Sequence, residues 1–117
     1  MQNYKDLKVW EKAHQFTLEV YKASATFPKT ETYGLTNQLR RASSSIAANI
    51  AEGCGKNTKP DFANFLNIAR RSAFENANIL ILLQQRHLIS ESVLNTLLGE
   101  LDSLCRKLTN FQRAILR

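Results

Sequence analysis

Hydrophobic residues recur along this chain at intervals of three and four, the period of a helix with one buried face. Four segments follow that period, separated by short polar links: Lys5 to Phe27, Tyr33 to Glu52, Pro60 to about Arg86, and the stretch that begins after Ser90. No segment alternates with a period of two, so the pattern predicts no strand.

Residues at the ends of these segments agree with helix boundaries. Pro28 ends the first helix, and Gly53 and Gly55 stand where a helix C-terminus favours a left-handed residue. Pro60 fits the first turn of the third helix, and Ser90 fits the cap of the fourth. The fourth helix carries an uninterrupted seam of apolar residues: Leu94, Leu97, Leu101, Leu104, Leu108, Phe111 and Ile115.

The first two helices each have a predicted inward stripe. On the first it consists of Leu7, Trp10, Ala13, Thr17, Val20, Tyr21, Ser24 and Phe27, and on the second of Leu35, Leu39, Ala42, Ile46, Asn49 and Gly53. Ser45 and Ala48 flank the second stripe, so a neighbouring helix can approach closely. Asn49 is the polar exception, and we expect its amide to bond to a group on a neighbouring helix.

The architecture follows from length and spacing. A chain of 117 residues suits one domain, and short links force sequential helices to lie antiparallel. The prediction is an all-α fold in which residues 1–117 form a single up-down-up-down four-helix bundle. The third helix has more apolar positions than one face can hold, especially residues 79–83, which predicts a homo-oligomer.

Positive charge is concentrated in two parts of the chain. The net charge is +6, and residues 33–73 together with residues 103–117 hold the excess. The first region contributes the candidate nucleic-acid-binding residues, which are Arg40, Arg41, Lys56, Lys59, Arg70 and Arg71. Each adjacent arginine pair is expected to split, with one side chain toward Glu52 or Glu75 and one toward solvent. A solvated face with internal salt bridges is the alternative, and in residues 103–117 the cations also suit a helix C-terminus.

No pattern in the sequence indicates catalysis or a cofactor. His14 and His87 lack metal-pair spacing, the serine triplet 43–45 lacks a nucleophile elbow, and no Glu-x-x-His motif accompanies the carboxylates of Glu52 and Glu75. We therefore expect a structural polar network of Ser45, Asn49, Glu52 and Glu75 and no metal site. Two isolated cysteines, no membrane-length apolar run and no hydrophobic signal core lead us to expect a cytoplasmic protein.

The stretch YGLTNQLRRASSSIAANIAEG, residues 33–53, with FANFLNIARRSAFE at 62–75 and LKVWEKA near the start, resembles a known family. It is the four-helix bundle family of proteins encoded in intervening sequences of bacterial large-subunit ribosomal RNA genes, which includes accessory proteins of diversity-generating retroelements. Family members commonly have proline after the Ser-Ile pair, where this chain has Ala47, so a kink there is expected to be milder or absent.

The resemblance implies a ring-shaped homo-oligomer, with a pentamer as the favoured form. It also implies binding of RNA or DNA through basic surfaces, with a reverse transcriptase as a partner. A protein–protein interaction scaffold without nucleic-acid binding stays open as the alternative.

Overall fold

Four helices carry the fold in a computed structural model that describes residues 4–117, and only the backbone of Thr32 and Tyr33. They are α1 (Lys8–Ser24), α2 (Asn37–Cys54), α3 (Lys59–Gln85) and α4 (Glu91–Leu116). The described part of the chain contains no strand. The 27 residues of α3 span about 40 Å at 1.5 Å per residue, close to the 44 Å long axis of the molecule.

The helices pack in chain order, and α4 closes the bundle against α1. Cross-helix contacts show the directions. Gly53 at the end of α2 faces Phe62 at the start of α3, whereas Ser45 in mid-α2 hydrogen-bonds to Ser72 in mid-α3. Arg40 near the start of α2 likewise bonds to Ser24 at the end of α1, and Gln112 late in α4 bonds to Ala63 early in α3. Helices adjacent in the chain therefore run antiparallel, as the short links predict, and the all-α bundle is confirmed.

The predicted stripes agree with the core on α2 and α4 and are rotated on α1. The five leucines of the α4 seam are buried, as are Leu39, Ala42 and Ile46 of α2. On α1 the buried positions are Val9, Ala13, Phe16, Val20 and Ser24. Tyr21, predicted to face inward, is exposed and lies under the guanidinium of Arg40. An aromatic ring with a polar tip tolerates that position.

The serine triplet allows α2 to approach both neighbours. Each hydroxyl donates to a carbonyl three residues earlier, as expected for serine within a helix. The carbonyl of Ser43 accepts a 3.0 Å bond from Thr17 on α1, and the hydroxyl oxygens of Ser45 and of Ser72 on α3 are hydrogen-bonded at 2.7 Å. Ala47 lies within an unbroken α2, so the family's proline kink is absent here.

Several predicted helix ends are wrong by a few residues. Helix α1 stops at Ser24 rather than Phe27, because the residue before Pro28 disfavours helical geometry and a turn precedes it. Helix α2 begins at Asn37 rather than Tyr33, after an irregular turn over Thr32–Thr36 in which the backbone of Gly34 is not helical. Thr58 caps α3 by accepting a bond from the amide of Asp61, and Ser90 caps α4 as predicted.

The left-handed residue of the described chain is His87, not a glycine. Both Gly53 and Gly55 have negative φ, whereas His87 has φ of 61° just after α3. The amides of His87 and Leu88 donate back to the carbonyls of Gln84 and Leu83, which is the Schellman arrangement for ending a helix. Next to it, Arg86 forms a 2.7 Å ion pair with Glu31, tying this end to the α1–α2 link.

Candidate nucleic-acid interface

Arg40 is held between helices rather than presented to solvent. Its Nε donates a 2.8 Å hydrogen bond to Ser24 Oγ, and its guanidinium carbon lies 4.8 Å from the centre of the Tyr21 ring. The predicted partners, Glu52 and Glu75, do not pair with it, because the side chain extends toward α1 and not α3. The role that this geometry gives Arg40 is to join α2 to the end of α1.

Arg41 and Arg71 are exposed on the outer face of α2 and α3. Arg41 lines a shallow groove with Ser45 and Glu75, and Arg71 lies one helical turn before Glu75. Within residues 4–117 neither arginine forms an ion pair of 4 Å or less. The carboxylate of Glu75 shares this face, however, and offsets part of its positive field.

The two lysines of the α2–α3 junction are also exposed. The ammonium of Lys56 lies 4.9 Å from the centre of the Phe65 ring, within cation–π range. The ammonium of Lys59 lies 3.5 Å from the carbonyl oxygen of Arg117, so α3 begins where α4 ends. Both lysines mark one end of the bundle and stand apart from Arg41.

The predicted polar network is only partly assembled. Ser45 bonds to Ser72 across the α2–α3 interface. The side-chain amide of Asn49 donates a 2.8 Å hydrogen bond to the carbonyl of Ser45, one turn earlier in its own helix. The expected bond to a neighbouring helix is therefore not the one that forms. Among the described residues, Glu52 and Glu75 form no ion pair. Both carboxylates are exposed, so water already solvates them.

Basic side chains from two helices come together in a groove between α3 and α4, which we call the α3–α4 groove. Arg70 contributes from α3, and Arg106 and Arg113 contribute from α4, with Asp102 as the acid that lines the same groove. Cys105, Thr109, Asn110 and Phe74 complete its lining, and the volume of this open groove is about 340 Å³. Three arginines against one aspartate make this groove electropositive.

The arginines of the α3–α4 groove are only lightly engaged. Arg106 forms a 3.1 Å ion pair with Asp102 one turn away, but both side chains are more than two-thirds exposed, at 73% and 69%. Such a surface pair contributes about 0–1 kcal/mol, so Arg106 can exchange this partner for another anion at little cost. Arg70 lies with its guanidinium carbon 5.3 Å from the centre of the Phe74 ring.

Burial and the charges of this groove shift the pKa of the Cys105 thiol. Burial raises the pKa of its thiol, the positive charge of Arg70 lowers that pKa, and the negative charge of Asp102 raises it. Cys54 is a buried thiol at the end of α2, and burial also raises its pKa. Both cysteines are free thiols.

A carboxylate pair forms where the sequence did not indicate one, between Glu19 of α1 and Glu100 of α4. Burial raises the pKa of Glu100 to about 7, assisted by a hydrogen bond to Glu19 and by its negative charge, while Lys12 opposes the shift. The folded protein thus holds this proton more tightly than the unfolded chain, whose glutamate titrates near 4.5. Stability therefore falls as the pH rises from about 4.5 through about 7.

Within residues 4–117, no three histidine, cysteine or acidic side chains come together in a way that could hold a metal ion. None of the described helices is long and apolar enough to cross a membrane. His14 is exposed and stacks on Trp10 at 4.8 Å, and His87 serves as the helix-ending residue.

Comparison with families of known proteins matches residues 5–110 to the 23S rRNA-intervening sequence proteins. The chain belongs to that family. A crystal structure from the S23 ribosomal protein family, of a Bacteroides thetaiotaomicron protein of unknown function, is similar at 25% sequence identity and a TM-score of 0.79. The similarity covers 89% of this chain and 97% of the other, and comparison with curated proteins gives no match.

For this intervening-sequence protein, sequence patterns identified one of the three arginines of the cationic groove. Arg70 was among the predicted contacts, whereas Arg106 and Arg113 were interpreted as cations that suit a helix C-terminus. Their spacing of seven residues, two turns on one face of α4, was the signal that could have linked them. Phe74 was counted only among the apolar positions of the third helix, and its exposure became evident from the packing.

Proposed function

We propose that this protein is a non-enzymatic, oligomeric four-helix bundle of the cytoplasm that binds RNA or DNA as an accessory factor. The observation that carries the proposal is the convergence of Arg70, Arg106 and Arg113 on the α3–α4 groove. Arginine offers a planar fork of donors that matches phosphate oxygens. Arg41 on α2 and Arg71 on α3 are further exposed cations.

Assembly would multiply this charge. We propose that the chains form a homo-oligomer, and the family resemblance favours a pentamer. In support, large apolar side chains remain exposed near the end of the bundle where α1 and α3 finish and α4 begins: Leu18, Ile81, Leu82 and Val93. A ring of chains that each carry +6 would attract polyanions strongly. A reverse transcriptase is the partner that the resemblance to retroelement accessory proteins suggests.

The test is binding of structured RNA and duplex DNA over a range of salt concentrations. Each phosphate contact contributes about −0.9 to the log–log slope of affinity against salt on duplex DNA. We expect an Arg70→Gln/Arg113→Gln variant to bind unrelated sequences more weakly and with a shallower slope, because backbone contacts carry no sequence information. The matched Arg41→Gln/Arg71→Gln variant should show the same effect to a smaller extent, since Glu75 already offsets that face.

A variant that is expected to bind more strongly distinguishes the charge of the α3–α4 groove from the net charge of the protein, and a gain in affinity cannot result from misfolding. Asp102→Asn removes the acid of the α3–α4 groove and frees Arg106, so it should strengthen binding. Glu91→Gln makes the same neutralisation elsewhere on α4 and serves as the control. Equal effects of the two changes would indicate attraction by net charge alone and would contradict a role for the groove.

A protein-interaction scaffold is the second candidate, favoured by the same exposed apolar side chains that support assembly. If the wild-type protein binds neither RNA nor DNA even at low salt, the basic residues serve solubility and the scaffold function is the better proposal. Occurrence of the gene beside a reverse-transcriptase gene would favour the accessory role.

A further inference from the structure

Phe74 is the most exposed large hydrophobic side chain of the described chain, at 57% of its surface. It lies on α3 at the edge of the α3–α4 groove, one turn after Arg70. An aromatic ring exposed to water does not gain the free energy of burial. The hydrophobic core of the bundle forms without Phe74. The ring is therefore available for contact with a ligand.

The surroundings of Phe74 restrict what that ligand can be. The guanidinium of Arg70 lies 5.3 Å from the ring centre, and Arg106 and Arg113 line the same groove. A partner must therefore combine a flat apolar surface with negative charge on either side of it. Thr109 and Asn110 add neutral hydrogen-bonding groups to the lining.

We infer that the α3–α4 groove binds single-stranded nucleic acid, with an unpaired base stacked on Phe74 and the flanking phosphates bound by Arg70, Arg106 and Arg113. This inference rests on the proposed nucleic-acid binding and specifies its substrate. In a duplex the faces of the bases are covered by their neighbours, so an exposed aromatic ring can stack only on an unpaired base. Proteins that bind single-stranded nucleic acid generally combine a positively charged groove with aromatic side chains on which the bases stack, and such binding has little sequence preference.

The size of the groove agrees with one base rather than a helix. Its volume of about 340 Å³ falls at the low end of the range for small-ligand pockets, which is roughly 300–1,000 Å³. The Arg106–Asp102 pair can open at little cost, which lets Arg106 turn toward a phosphate. Arg70 already stands over the ring, where it can contact both a base plane and its phosphate.

Two oligonucleotides of equal length and charge separate stacking from phosphate binding. One is fluorescein-labelled homothymidine DNA, and the other has the same sugar–phosphate backbone with no bases. Fluorescence anisotropy with the full-length protein should show tighter binding of the homothymidine strand. Phe74→Ala should weaken that binding by about 5- to 150-fold, which corresponds to the usual contribution of one stacked base, and leave the abasic strand unaffected.

Controls for this experiment come from the same chain. Leu116→Ala removes another exposed apolar side chain, 53% exposed at the end of α4 and outside the lining of the groove, and should leave both affinities unchanged. Phe74→Tyr keeps the ring and should retain binding. Bound homothymidine should also slow alkylation of Cys105, which lines the groove, whereas Cys54, 7% exposed at the end of α2, provides the internal reference.

The outcomes distinguish the two levels of the proposal. If duplex DNA binds but Phe74→Ala leaves homothymidine affinity unchanged, stacking is wrong and the general nucleic-acid function stands. If no nucleic acid binds the wild-type protein, both fail. If Phe74→Ala changes the oligomeric state measured by light scattering, the ring belongs to a subunit interface and the inference is overturned.

Discussion

Two glycines within helices provide a matched test of how α2 packs. A Cβ at Gly53 would lie 2.9 Å from Cδ1 of Phe62 and 3.0 Å from the Cβ of Phe65 on α3. A Cβ at Gly99, in the middle of α4, would have nothing within 4 Å. The same substitution, glycine to alanine, should therefore change stability in opposite directions at the two sites.

The magnitudes follow from two opposing effects. Alanine stabilises a helix interior by about 0.8–1 kcal/mol relative to glycine, and Gly99→Ala should gain most of this. Gly53 is the next-to-last residue of α2, where the propensity gain is smaller. Overpacking costs about 1–3 kcal/mol, and the Phe65 contact is to a Cβ that cannot rotate away. We expect Gly53→Ala to lose about 1–2 kcal/mol.

Urea denaturation followed by circular dichroism at 222 nm, a wavelength sensitive to helix content, measures both changes. It should be done at one fixed protein concentration because assembly couples to stability. The double variant Gly53→Ala/Phe62→Leu should recover little, since the Phe65 contact remains. A Gly53→Ala protein as stable as the wild type would show that α2 and α3 are farther apart than described, and that Gly53 has no packing role.

Four further predictions concern other features of the protein. The pKa of Glu100 is about 7 in the folded protein and near 4.5 in the unfolded chain, a difference that would lower the free energy of unfolding by about 3 kcal/mol at high pH. Because solvent screens the Glu19–Glu100 pair, we expect a loss of about 1 kcal/mol. Glu100→Gln should remove that loss of stability between about pH 5 and pH 8, and an unchanged pH profile would contradict the pairing. His87→Gly should raise the stability by about 1 kcal/mol, since glycine adopts positive φ freely; a lower melting temperature would refute this. Asn49→Ala should cost less than about 1 kcal/mol because its hydrogen bond stays within its own helix. A larger loss of stability would oppose this assignment. Light scattering should give about 67 kDa, five times the 13.3 kDa of one chain, and a monomer mass would exclude the pentamer.

The spacing of hydrophobic residues, together with the residues that end or cap helices, was sufficient to predict the architecture. The leucine seam of α4 and the stripe through Leu39 and Ile46 predicted buried faces, and both are buried. Short links then required antiparallel neighbours. Prediction failed at the ends of helices, where a few residues in a turn or an irregular segment exchange hydrogen-bond partners at small cost in free energy.

The candidate site was less accessible from the sequence, because it depends on how helices are rotated about their axes. Adjacent arginines on one helix point about 100° apart, so the packing alone decided that Arg40 faces α1 and that Arg70 faces α4. The exposure of Phe74 and the pairing of Glu19 with Glu100 likewise arise between helices that are distant in the chain. The sequence by itself determined four amphipathic helices and their order, since those depend on local spacing. Only the tertiary structure decided which charged and aromatic side chains share a groove, because that depends on the angle at which each helix presents its face to the next.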